Sequence, residues 1–300
     1  MKLPTQILVV ISGKRKKHEA LERALKFAEF GQVHLHLFNS IYEPVVELSE
    51  LISQEHRDEI KRQHIADRYL YMDTLAAELD QQGISCSVRV EWHQHLYESI
   101  EKVVEELNPD LVIKRISADP LSINPFALPT DRHLIRYCQA PLLLVKHGQW
   151  QNHAIVGAVD ILATDPPHQQ LNHDIVNSAA LLSRVMQTEL HFANSYLTYN
   201  LSVEANFTEL DLPTLQHNTA NFHQDKLQQL LADNHITDSH CHVVAGPAEV
   251  GIGNVVKQLN APLVVLGTVG RTGLSAAILG NTAEAILAEL NCEVLALKPG

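Results

Sequence analysis

Three hundred residues, 45% of them hydrophobic, are enough for one large core or two ordinary ones, and the usual size of a domain favours two. An excess of 35 acidic over 23 basic residues gives a formal charge of -12, which argues against general, sequence-independent binding to nucleic acid or to an anionic membrane. No apolar run approaches the roughly 18 residues that span a bilayer, and the opening MKLPTQILVVISGKRKKH is too poor in apolar residues for a signal peptide, so a cytoplasmic protein is expected. Cys86, Cys138, Cys241 and Cys292 are widely separated and form no CxxC pair; they read as reduced, mostly buried small apolar residues.

Short apolar runs alternate with longer amphipathic ones, the pattern of βαβ units on a parallel sheet. A first strand is predicted over 7–12. The basic run GKRKKH follows it at 13–18, where a cationic cluster before a helix hints at an anion, although a solvated loop is the ordinary explanation. The second strand is predicted over 33–40. A less regular polar segment around 43–59 then leads into a long helix with Ile65, Tyr69, Met72 and Ala76 on its apolar positions; such segments often cover a cleft. Strands over 85–91, 111–115 and 141–146 complete a first set. A second set is predicted over 154–160, 189–195, 240–244, 263–267 and 293–298, with another irregular stretch near 197–214 before a helix bearing Leu227, Leu230 and Leu231. Within it, AGPAEVGIGNVV at 245–256 lacks the full dinucleotide fingerprint, so Gly246 and Pro247 are read as the start of a helix, with Pro247 in its first turn.

The two sets also agree in letters. HLFNS at 36–40 pairs with HFANS at 191–195, and NPDLVI at 108–113 with NAPLVV at 260–265. A repeat this long exceeds any solenoid unit, so each copy is a whole domain, expected at 1–148 and 152–300.

One stretch carries the strongest chemical signal. GTVGRTGLSAAILGNTAEAIL places Gly267, Gly270 and Gly280 between an apolar strand and a helix starting near Thr282. A strand end followed by a helix N-terminus presents free amides to an anion, glycines let the backbone approach a phosphate, and Arg271 adds a charge-assisted donor. Turn and cap chemistry is the competing explanation for such a loop taken alone.

With two residues between the first glycines and nine before the third, this stretch resembles the universal stress proteins of the tandem type. The resemblance implies two tandem flavodoxin-like (adenine nucleotide alpha hydrolase-like) α/β domains, each an open five-stranded parallel sheet of order 3-2-1-4-5, whose last strands meet across a pseudo-twofold axis. In nucleotide-binding members the glycine motif, followed by Ser or Thr, wraps the ATP phosphates, and an acidic residue ending the first strand lies by the adenosine. The matching positions here are Gly267, Gly270, Gly280, Asn281 and Thr282, with Asp160 in AIVGAVD. Asn281 departs from the pattern, and an amide still donates to an anion. The first half has Arg115, Ala118 and Leu128 in place of the glycines and Ser12 in place of Asp160, so no nucleotide site is expected there. The family role implied is survival of DNA damage and oxidants through ligand binding.

Other readings stay open beside this one. Ala276, Ala277, Ile278 and Leu279 make the loop greasy, which suits a scaffold for an apolar or mixed metabolite. Signatures of catalysis (GxxxxGK[ST], GxSxG, HExxH) are missing from the sequence, so no catalytic residue is assigned and a weak ATPase is the most an enzyme reading allows. Among the 18 histidines, the pairs in HLH at 34–36, WHQH at 92–95 and HCH at 240–242 invite zinc. His240 and His242 share one strand face, yet surface histidines without a third spaced ligand are the commoner case, and no metal ligand is assigned. Self-association is the remaining expected interaction.

Overall fold

The computed structural model describes residues 2–116, 130–146, 154–197, 212–268 and 292–299. The chain divides into two compact units, Leu3–His147, and Gly148–Gly300 together with Met1–Lys2.

In the first unit the elements run β1 (Gln6–Val10), α1 (Glu19–Ala28), β2 (His34–Ile41), α2 (Pro44–Leu48), α3 (Gln54–Gln81), β3 (Ser85–Trp92), α4 (Leu96–Leu107), β4 (Leu111–Arg115), α5 (Thr130–Tyr137) and β5 (Leu142–Val145). All pairings among these strands are parallel, in the order β3-β2-β1-β4-β5. The second unit has β6 (Ala154–Ala158), α6 (Pro166–Met186), β7 (Glu189–Tyr196), α7 (Leu212–Asp233), β8 (His240–Ala245), α8 (Ala248–Gln258), β9 (Leu263–Gly267) and β10 (Glu293–Leu297). Its strands are likewise parallel, in the order β8-β7-β6-β9-β10. Counted from the first strand of each half, both sheets have the expected order 3-2-1-4-5.

Composition explains which strands are covered on both faces. ILVV in β1, LLLV in β5, AIVGA in β6 and EVLAL in β10 are buried throughout, as strands covered on both faces must be, whereas SCSVRVEW in β3 alternates and lies at an edge. Ile7, Leu8, Val9, Leu35, Leu37, Phe38 and Ile113 form the first core, and Ile155, Val156, Phe192, Leu263, Val264 and Val265 the second.

The repeated letters have physical causes. Asn108 and Asn260, which open the second matching pair, both follow a helix in the left-handed region (φ 43° and 46°), where asparagine is tolerated better than most residues. Asn39 and Asn194, in the first pair, are both buried, and each donates from Nδ2 across to the neighbouring strand end, to the Ile11 and Val159 carbonyls respectively. A buried amide near the C-terminal end of an inner strand thus ties adjacent strand ends together in both halves.

The structure corrects several boundaries. The segment expected to be irregular around 43–59 contains α2, opened by Pro44, and the first turns of α3, which starts once Ser53 accepts from the His56 N–H. Strand β6 stops at Ala158, not at Asp160, because an Asn172 amide draws the backbone of Asp160 into a turn. Helix α8 begins at Ala248 with Pro247 as its N-cap, one residue later than expected, after Gly246 turns the chain at φ 110°. No helix among the described residues is long and apolar enough to cross a membrane.

Candidate functional site

In an open parallel sheet the ligand crevice lies outside the C-terminal strand ends, where the strand order reverses. In the second unit that point falls between β6 and β9, with Ala158 opposite Leu266. Asp160 lies two residues beyond Ala158 and Gly267 one beyond Leu266, so two of the expected residues flank the same crevice.

Asp160 is held rigidly. Its N–H donates to Asn172 Oδ1 at 3.0 Å, and its carbonyl accepts from Asn172 Nδ2 at 2.7 Å, a two-point clamp from α6. The carboxylate Oδ1 accepts from the Leu162 N–H at 3.2 Å, which fixes its direction at the strand tip. One residue earlier, the Val159 carbonyl accepts from Asn194 Nδ2 at 2.9 Å, and Asn194 Oδ1 lies 2.6 Å from Nδ1 of the buried His223 on α7. Residue type and spacing do not point to Asn172 or His223, whereas the HLFNS/HFANS match marks Asn194.

Gly267 has a packing reason to be glycine. A Cβ there would stand 2.6 Å from Leu171 Cδ2 and 3.6 Å from Ile175 Cδ1, so the missing side chain is what lets α6 press onto the end of β9. The backbone continues through buried Thr268, whose N–H and Oγ1 both donate to the Leu297 carbonyl, at 3.0 and 3.3 Å. Gly270, Arg271, Gly280, Asn281 and Thr282, and the apolar run at 276–279, lie outside the described residues.

The corresponding point of the first unit is filled by charge. There β1 and β4 run side by side with Val10 opposite Lys114. Lys114 is wholly buried, and its Nζ lies 2.6 Å from Asp131 Oδ1 at the start of α5 and 2.9 Å from the Arg115 carbonyl. Arg115, where the second half has Gly267, sends Nε to within 3.3 Å of Glu19 Oε2, both groups being largely buried. Glu19 is the first residue of α1. The first turn of α1 therefore already carries a carboxylate of the chain, the charge that the helix dipole favours there. Ala118 and Leu128 are outside the described residues.

The basic run after β1 is an exposed loop held from behind. Gly13 has φ 62°, Lys14 to Lys17 are exposed, and Tyr71 of α3 accepts from the Arg15 N–H at 3.3 Å and donates to the Arg15 carbonyl at 2.9 Å. His18 Nε2 lies 2.6 Å from the same hydroxyl, and burial holds its pKa below the usual imidazole value.

The histidine pairs separate into two kinds. In the first half His34 and His36 are capped by hydroxyls and an amide: His34 Nδ1 lies 2.8 Å from Ser85 Oγ, His36 Nδ1 2.9 Å from Ser87 Oγ and His36 Nε2 2.8 Å from Gln6 Oε1. In the second half the equivalent strands bring His191 against both His240 and His242, ring centroids 4.6 and 5.2 Å apart. Cys241, between them in sequence, is half-buried, and burial pushes its thiol pKa up, so no reactive thiolate is prepared there. Cys86, Cys138, Cys241 and Cys292 form no disulfide with one another.

A profile of the universal stress protein family matches the chain twice, over residues 5–146 and 161–298. The chain belongs to the universal stress protein family. Among relatives of this tandem family member, universal stress protein E of Escherichia coli is 30% identical over 301 residues, covering 100% of this chain and 95% of the relative. The universal stress protein E homolog of Haemophilus influenzae is 29% identical over 299 residues, 98% and 97% of the two chains. A crystal structure of a functionally unknown protein from Pseudomonas aeruginosa superposes with a TM-score of 0.75 at 28% identity, covering 99% of this chain and 93% of that one. A universal stress protein from Archaeoglobus fulgidus, at 16% identity and a TM-score of 0.64, shares the fold.

Proposed function

We propose that this protein binds an adenine nucleotide at the β6/β9 crevice of its second half and serves stress survival as a ligand-binding protein, without a robust reaction of its own. The observation that carries the reading is the contrast between the halves. Where the first half places ion-paired Lys114 and Arg115, the second has Leu266 and Gly267, with the clamped Asp160 beside them. The donor set suits the ligand: Asp160 offers a carboxylate acceptor for nucleoside hydroxyl or amino groups, and the motif that begins at Gly267 offers backbone amides and Arg271 for phosphates. Phosphoryl transfer calls for a positioned metal, a cationic clamp and a base, and the sequence offers only Asp160 and Arg271 as candidates, so hydrolysis of a bound triphosphate is expected to be slow.

Calorimetry of the full chain with ATP tests this reading. Asp160→Asn, which keeps the acceptor for the Leu162 N–H, should weaken binding by roughly 10- to 100-fold, the equivalent of a hydrogen bond to a charged group. Gly270→Val and Gly280→Val should abolish it with the melting curve nearly unchanged. Failure of the wild-type chain to bind any adenine nucleotide would sink the proposal, and a lipid-like mass retained in native mass spectrometry would favour an apolar metabolite instead.

A further inference from the structure

We propose that Glu189, His191 and His240 form a site for one divalent transition-metal ion at the N-terminal ends of β7 and β8, the opposite end of the sheet from Asp160 and Gly267. The proposal is independent of the nucleotide reading.

Strand geometry assembles the three ligands. Glu189 and His191 are two residues apart on β7 and share a face, and the parallel register sets His191 opposite His240 on β8. One donor atom from each of the three lies within 4.8 Å of the others, and His191 Nε2 is 3.2 Å from Glu189 Oε2. Metal bonds of about 2.0–2.2 Å to imidazole nitrogen and carboxylate oxygen hold neighbouring donors roughly 3–4 Å apart, so an ion fits with small side-chain rotations. His191 is buried while Glu189 and His240 are exposed, which leaves a position open to water.

A fourth side chain sets the direction of the central ligand. His242 Nε2 lies 2.9 Å from His191 Nδ1, so one proton is shared between those two nitrogens. When His191 supplies it, Nε2 carries a bare lone pair facing the Glu189 carboxylate, an arrangement that a cation between them relieves. This is how an outer partner fixes the tautomer of a metal-bound imidazole.

The first half provides an internal control. Where Glu189, His191, His240 and His242 stand it has His34, His36, Ser87 and Arg89, and the Ser85 and Ser87 hydroxyls and Gln6 satisfy the imidazoles there. Exchanging His34 for Glu189 and Ser87 for His240 converts a hydrogen-bonded patch into a set of one carboxylate and two imidazoles. Such donors suit zinc, cobalt or nickel and are a poor match for calcium or magnesium, which want oxygen alone.

Titrating the chelator-treated full chain with cobalt(II), followed by its visible d–d absorption, and then displacing it with zinc, tests the site. The wild type should bind one cobalt ion with a low-symmetry spectrum that zinc abolishes. His240→Ser, which installs the residue found at Ser87, and Glu189→Gln should each weaken cobalt binding at least tenfold with an unchanged circular dichroism spectrum; both positions are exposed and tolerate the change. His242→Asn should weaken it less and leave the spectrum's shape unaltered. A wild-type chain that binds no cobalt, or variants that bind it with wild-type affinity, overturn the proposal.

Discussion

Replacing Asp131 by Asn would take away the carboxylate that meets the buried ammonium of Lys114. Lys114 has no exposed side-chain surface and Asp131 only 10%, and their charged atoms are 2.6 Å apart. Water cannot take over the lost partner, so the change should cost about 3–5 kcal/mol, the range found when one member of a buried pair is removed. With a slope of about 2 kcal/mol per M in urea, the unfolding midpoint should fall by about 1.5–2.5 M. Fluorescence can follow the first half alone if Trp150→Phe is made first, because the chain has two tryptophans and Trp92 lies in β3. The second half supplies the compensating change. Lys114→Leu, which copies Leu266, combined with Asp131→Ala should recover most of the loss, since well-packed apolar residues often match a buried ion pair in stability. A loss below about 1 kcal/mol in Asp131→Asn, or a double variant as unstable as the single, would refute the view that this pair closes the first crevice as a desolvated unit.

Two further predictions concern the second half and the buried histidines. Gly267→Ala should cost about 1–3 kcal/mol, because its Cβ would meet Leu171 at 2.6 Å in a closely packed site, whereas Gly253→Ala, with nothing within 4 Å inside α8, should gain about 0.5–1 kcal/mol; equal effects in thermal unfolding would contradict the packing account. Burial depresses the pKa of His18, His36, His191 and His242, so the unfolded chain takes up protons before the native one as the pH falls. Stability from this source is complete above the unfolded value of about 6.5 and is lost progressively as the pH drops through it towards the lower native values. Urea midpoints measured between about pH 7.5 and 5.5 should therefore decline on acidification, and a flat profile would show the histidines to be solvated.

Much of the fold was legible in the sequence because it is written locally. Runs such as ILVV and LLLV mark strands covered on both faces, and Asn108 and Asn260 mark the same left-handed turn in each copy. The order 3-2-1-4-5 came from the resemblance to a family, and the parallel pairings agree with it. Local pattern misled around 43–59, where polar residues on an exposed helix surface looked irregular, though Pro44 and Ser53 were legible as helix starts.

The sites divide the same way. Sequence alone determined that the second half keeps the Gly267, Gly270, Gly280 spacing and the first does not, since that is a matter of residue identity. Only the tertiary structure decided that Gly267 is also needed against Leu171, that Arg115 meets Glu19 across most of a domain's length, and that His191 and Glu189 supply what HCH lacks. Periodicity along a chain records which face a side chain takes, but which residue of another strand or helix stands opposite is set by register and packing, and those exist only once the core has closed.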